Sequence, residues 1–130
     1  MINHAKGTFE VKLTPQEDKS GAIVGQMTID KQFHGDIEGS SKGLMIMAST
    51  SVSGSAGYVA LERVEASVND RNGTFYLQHN GIMNRGEGTL TVVVIPDSGT
   101  NQLTGLSGSL KITIENGKHF YEFDYEIAET

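Results

Sequence analysis

The sequence predicts an all-β protein, a closed eight-stranded antiparallel barrel of the up-and-down (meander) type. Three observations lead there. Apolar and polar residues alternate with period two in segment after segment. Turn-forming residues punctuate these segments at short intervals, as in a run of hairpins. Glycine is abundant, 16 of 130 residues against 2 prolines, which suits strands that must kink and curl. Eight strands are enough to close a sheet on itself, and closure removes exposed edges.

The first strand is expected over residues 4–13, where Phe9, Val11 and Leu13 alternate with Thr8, Glu10 and Lys12. A polar turn cluster at 15–21 leads to a second strand at 22–34, with Ile23, Met27, Ile29 and Phe33 on one face. Gly35-Asp36 turns the chain into a third strand at 37–51, broken early by Gly39 and Gly43 and filled later by Leu44-Met45-Ile46-Met47.

Strands at 58–69 and 74–82 form the central hairpin, joined by a four-residue loop Asp70-Arg71-Asn72-Gly73 whose glycine supplies a positive φ. That register sets Val68 opposite Phe75, Ala66 opposite Leu77 and Val64 opposite His79. Tyr58, Ala60 and Glu62 then share the face of His79, with Glu62 and His79 as diagonal neighbours about 7–8 Å apart at the backbone. Ala60, Leu61, Val64 and Val68 also fit one stripe of a helix. The strand is preferred because no ordinary N-cap precedes the run and Gly54 and Gly57 crowd its start.

Met83-Asn84-Arg85-Gly86 leads to a sixth strand at 87–95. Pro96-Asp97-Ser98-Gly99 is a strong turn signal, followed by a looser segment at 100–102. The seventh strand, 106–115, sets Leu106, Leu110, Ile112 and Ile114 against Ser107, Ser109, Lys111 and Thr113. Asn116-Gly117 reads as a two-residue type I′ turn. The last strand, 118–127, places Tyr121, Phe123, Tyr125 and Ile127 on one face.

Residues 44–47 and 92–95 are apolar on both faces, so their outer face calls for a cover. A second copy of the chain, giving a homodimer, is the expected cover; the loop at 97–105 is the other candidate.

Composition bounds the function. The length suits one domain, residues 1–130. Cysteine is absent, which excludes disulfides and thiolate chemistry. A net charge of −6 with scattered Lys and Arg argues against nucleic acid. The first residues lack the basic and apolar regions of a signal peptide, and no run approaches the ~20 apolar residues of a membrane span. A cytoplasmic protein with no membrane association is expected, and no cofactor motif is present.

The stretch from Gly54-Ser55-Ala56-Gly57-Tyr58-Val59-Ala60-Leu61-Glu62-Arg63, with Phe75-Tyr76-Leu77-Gln78-His79 and Val94-Ile95-Pro96-Asp97-Ser98-Gly99-Thr100, resembles a small bacterial family of unknown function. Gly35-Asp36-Ile37-Glu38-Gly39 and Tyr121-Glu122-Phe123-Asp124-Tyr125 fit it too. The resemblance implies a closed eight-stranded barrel similar to that of plant allene oxide cyclase. It does not imply that enzyme's activity, and no cyclase residue is carried over.

A barrel of this size is either filled by side chains or holds one small ligand. The candidate ligand-binding residues are Tyr58, Glu62 and His79, in an apolar cup with few polar groups. A carboxylate beside an imidazole fixes its tautomer and suits proton transfer on a small apolar substrate, hence isomerase- or cyclase-like chemistry. The same two residues could instead form a plain ion pair at the barrel rim. Arg63, Tyr76 and Gln78 fall on the other face, and become the inward set if the faces are inverted. His34 beside Asp36 lacks a third ligand at a metal-binding spacing. Gly39-Ser40-Ser41-Lys42-Gly43 lacks the spacing and helix of a phosphate loop. Gly54-Ser55-Ala56-Gly57 is one residue short of a nucleophile elbow. Two functions fit: a barrel binding a small lipophilic ligand, or a non-catalytic interaction module acting as a homodimer.

Overall fold

The computed structural model describes residues 2–16 and 25–128. Eight strands follow one another: β1 (Asn3–Gln16), β2 (Gly25–Gly35), β3 (Ile37–Ser49), β4 (Ala56–Val68), β5 (Arg71–Asn84), β6 (Glu87–Val94), β7 (Leu106–Glu115) and β8 (Lys118–Ile127). Each pairs with its neighbours in chain order, and β8 returns to β1, closing an antiparallel meander barrel. The closing seam runs from Asn3 opposite Tyr125 to Phe9 opposite His119. Residues 17–24, which carry Ile23 and most of the expected polar turn, lie outside the described residues. Pro15 and Gln16 extend β1 rather than turning it. No described helix is long and apolar enough to cross a membrane.

Tight turns set the register. Asn69-Asp70, Arg85-Gly86 and Asn116-Gly117 each place two successive residues at positive φ, the geometry that matches the twist of a two-residue hairpin. The central hairpin therefore differs from the expected four-residue loop. Asn and Asp tolerate the left-handed region, so the chain turns at Asn69-Asp70 and Arg71 already lies opposite Val68. The register shifts by four residues: Val64 faces Phe75, Glu62 faces Leu77 and Ala60 faces His79. An even shift preserves which face each side chain takes. The face assignment survives, Glu62 and His79 remain diagonal neighbours, and Arg63, Tyr76 and Gln78 point outward. Residues 58–68 are strand, not helix.

Period-two alternation fills the interior. One half of the barrel is packed solid by Phe33, Ile37, Val64, Phe75, Tyr121 and Phe123, with their buried neighbours. Phe75 stacks on Phe123, which stacks on Tyr125. Residues 95–105 close this end. Thr74 and Thr100 exchange backbone and side-chain hydrogen bonds, and Ser98 accepts from the Tyr76 amide. A 3₁₀ turn, Asn101–Leu103, then drops the fully buried Leu103 into the barrel end. This segment thus plugs the barrel rather than covering the outer face of β3. Tyr121 pins the same end: its hydroxyl accepts from the Ile37 amide at 2.8 Å and donates to the His34 carbonyl at 2.9 Å. Burial pushes that phenol up to about 12, against the hydrogen bond from Ile37, with Asp36 and Glu38 adding to the rise.

Candidate ligand-binding site

At mid-height the interior changes character. Alternation along β2 carries Ile29, Lys31 and Phe33 inward together, so a lysine enters the barrel. The same rule brings Ser41 in from β3, Glu62 from β4 and His79 from β5. Their exposures are 5% for Lys31, 2% for Ser41, 1% for Glu62 and 5% for His79. Gly43 lies opposite Glu62, and a Cβ there would sit 2.8 Å from the Glu62 Cβ. The missing side chain leaves room for the carboxylate to lie inside.

Glu62 is the hub. Lys31 Nζ lies 3.2 Å from its Oε1 and 3.0 Å from its Oε2, and the Ser41 hydroxyl donates to Oε2 at 3.3 Å. His79 Nε2 comes within 3.3 Å of Oε1 but lies off the line of a hydrogen bond, so this buried nitrogen has no directed partner. Burial by itself raises the Glu62 carboxyl, but the imidazole beside it and the ammonium of Lys31 outweigh that and hold it below the ordinary carboxylate value. The Lys31 ammonium also lies over the Phe9 ring, 4.9 Å from its centroid, with the Phe33 ring at 5.9 Å. Such contacts stabilise a cation cut off from water.

Below this layer most inward residues are buried, and just above it Ile29 and Ala60 are too. Above it Val11, Met27, Met45, Met47, Tyr58 and Ile112 also point inward, yet each keeps partial contact with solvent. These partly exposed side chains form the upper inner wall, called the cup below, on the far side of the Lys31–Glu62–His79 group from the plugged end. Tyr58 stands on the cup wall opposite Gly81, its ring filling the place of a Gly81 side chain. Burial raises its phenol above the ordinary value.

The structure therefore brings Glu62 and His79 into contact and sets Tyr58 above them. Lys31 and Ser41 were not among the residues expected from sequence, although the period-two rule that picked Ile29 and Phe33 includes Lys31. Met45 and Met47 line the cup and are not part of the outer apolar face. That face carries Leu44 opposite Leu61 and Ile46 opposite Val59, with Val59 and Leu61 about half exposed. His34 forms surface contacts with Glu10 and Glu38. No group of three or more potential metal ligands occurs among the described residues.

Residues 5–125 match a protein family described as "Protein of unknown function (DUF3224)". The chain belongs to this family. A crystal structure of a DUF3224 family protein with unknown function, from Shewanella oneidensis MR-1, superimposes with a TM-score of 0.94 at 44% identity, covering 100% of both chains. No curated protein matches the chain. The DUF3224 barrel is thus shared with a solved relative over its whole length, while the comparisons name no reaction or ligand.

Proposed function

We propose that the protein binds a small, mostly apolar molecule in the upper half of its barrel, with a polar head on the Lys31–Glu62–His79 group. The observation that carries this reading is the buried Lys31–Glu62 pair with His79, placed where packed core gives way to partly exposed inward side chains. Ions are costly inside a barrel unless paired and hydrogen-bonded, and His79 Nε2 has no directed partner. The methionines on the wall offer an adaptable apolar surface. Isomerase- or cyclase-like chemistry on such a ligand would use His79 as proton carrier and Glu62 to hold the imidazole. Lys31 would steady negative charge on a ligand oxygen.

The test is a ligand screen read by the methyl resonances of Met27, Met45 and Met47 in isotope-labelled protein, with cis-parinaric acid as first probe. Binding in the cup shifts all three methyl signals. A ligand at a hundredfold excess over its Kd adds about 2.7 kcal/mol of stability. If saturating small apolar acids, ketones and alcohols move none of these methyl groups, the reading is refuted.

A second reading rests on the outer face of β3 and β4, where the Leu44–Leu61 and Ile46–Val59 pairs line an apolar groove of about 350 Å³ with Gln78. This surface fits a second copy of the chain, making the protein a homodimeric interaction module. Sedimentation should then show a dimer that Leu61→Glu converts to a folded monomer. A wild-type protein that stays monomeric at several hundred micromolar refutes it.

A further inference from the structure

The barrel is closed, but one seam of its wall is held by far fewer pairs than the others. β5 and β6 pair from Leu77 opposite Val94 to Asn84 opposite Glu87, and β7 and β8 pair along their whole length. Between β6 and β7 the ladder contains a single pair, Val93 opposite Ser109. A physical cause lies in the connection. The neighbouring hairpins are drawn together by two-residue turns, whereas β6 and β7 are joined by residues 95–105, which bind to β5 and plug the barrel end. Nothing in that connection forces the strands together above Val93.

A cavity of about 490 Å³ occupies the place of the missing ladder, within the ~300–1,000 Å³ range of small-molecule sites. Its lining comes from both sides of the wall. Leu90, Val92, Leu110 and Ile112 belong to the inward face, while Thr91 and Lys111 belong to the outward face. The cavity lies between the two strands, and its inner side is closed by the buried Val92 and Leu110. Ile112 is also one of the partly exposed side chains of the upper inner wall, so the gap and that wall share a side chain. Glu122 and Asp124 stand at the outer lip beside Lys111.

We propose that the gap between β6 and β7 is a side entrance through which the ligand reaches the cup. This inference rests on the binding reading above. It requires that ligand exchange depend on parting of the two strands, with unpaired backbone on β6 and β7 facing the passage.

The test uses the absence of native cysteine. Thr91→Cys and Lys111→Cys, extrapolated as partners from the Val93–Ser109 pair, are bridged after folding with a short bifunctional methanethiosulfonate that reductant removes. Stopped-flow fluorescence with cis-parinaric acid then reads association and dissociation. Bridging is expected to slow both at least tenfold, with affinity within twofold and full recovery on reduction. Unchanged rates in the bridged protein overturn the entrance while leaving the cup intact. No binding to the unbridged protein refutes the binding reading, and the entrance with it. Hydrogen exchange on the unmodified protein gives a second measurement that needs no ligand. Every second amide of residues 88–91 and 110–113 should exchange at least a hundredfold faster than the amides of the paired β4–β5 ladder. Uniform protection across both strands overturns the sparsely paired seam.

Discussion

Glu62→Gln removes the negative charge at the hub of the buried group while keeping its shape. In the native protein the Glu62 side chain is 0% exposed and that of Lys31 7%, with Nζ contacting both carboxylate oxygens. Neutralising Glu62 leaves an ammonium inside the barrel with no counter-charge, and breaking a buried pair this way costs about 3–5 kcal/mol. That is a large share of the ~5–15 kcal/mol that holds a domain folded. Lys31→Met should cost a similar amount, for the mirror-image reason. The double variant should lose much less than the two single losses added together, because neither charge is then stranded. Urea unfolding followed by far-ultraviolet circular dichroism suits the assay, since the chain has no tryptophan. The pH dependence has a definite sign. The Glu62 carboxyl lies below its ordinary value of 4.5 in the folded state, so its contribution is present above that value and is lost as pH falls through the lower folded value. Wild type and Glu62→Gln should differ most at neutral pH and converge in acid. Single variants within about 0.5 kcal/mol of wild type, or strictly additive losses, would refute the account of the trio as a coupled buried unit.

Three further outcomes follow from the plugged end and the cup wall. Tyr121→Phe strands the buried Ile37 amide and should cost about 1–3 kcal/mol in denaturant unfolding; the same change should remove a phenol that otherwise titrates near 12 in ultraviolet absorbance. Leu103→Ala opens a cavity at a fully buried site and should cost about 2–5 kcal/mol, measured the same way. Gly73→Ala and Gly81→Ala should differ in kind. At Gly73 the new carbon would lie 2.2 Å from the Thr100 carbonyl oxygen, so the plug must shift and stability falls. At Gly81 it meets the Tyr58 ring, which can swing into the cup, so the change should alter ligand binding and the Tyr58 signals more than the unfolding midpoint.

The strand count, the meander and the barrel's closure were legible because period two and turn residues are local signals. Strands β7 and β8 fall at the expected residues, flanking the Asn116-Gly117 turn. The central hairpin shows the limit. Gly73 looked like the turn glycine, but its lack of a side chain serves the close approach of Thr100, while Asn69 and Asp70 make the turn. The Glu62–His79 pairing outlasted the wrong register because a shift of four residues keeps each side chain on its face. Lys31 was overlooked because a lysine reads as polar and outward, although its neighbours two residues away on either side point inward. Leu103 and the β6–β7 gap left no periodic trace: one depends on a non-repetitive segment docking against β5, the other on two strands that pair at a single position.

The pairing of Asn3 with Tyr125 has an outcome for how the molecule can be held. Both described ends of the chain emerge side by side at the stoppered base, on the side away from the methionine-lined bowl. A tether, a tag or a flanking segment fused at either end would leave the bowl facing outward. A short linker joining the two ends, with a fresh break between Asn116 and Gly117, should yield a permuted chain that folds to the same shape.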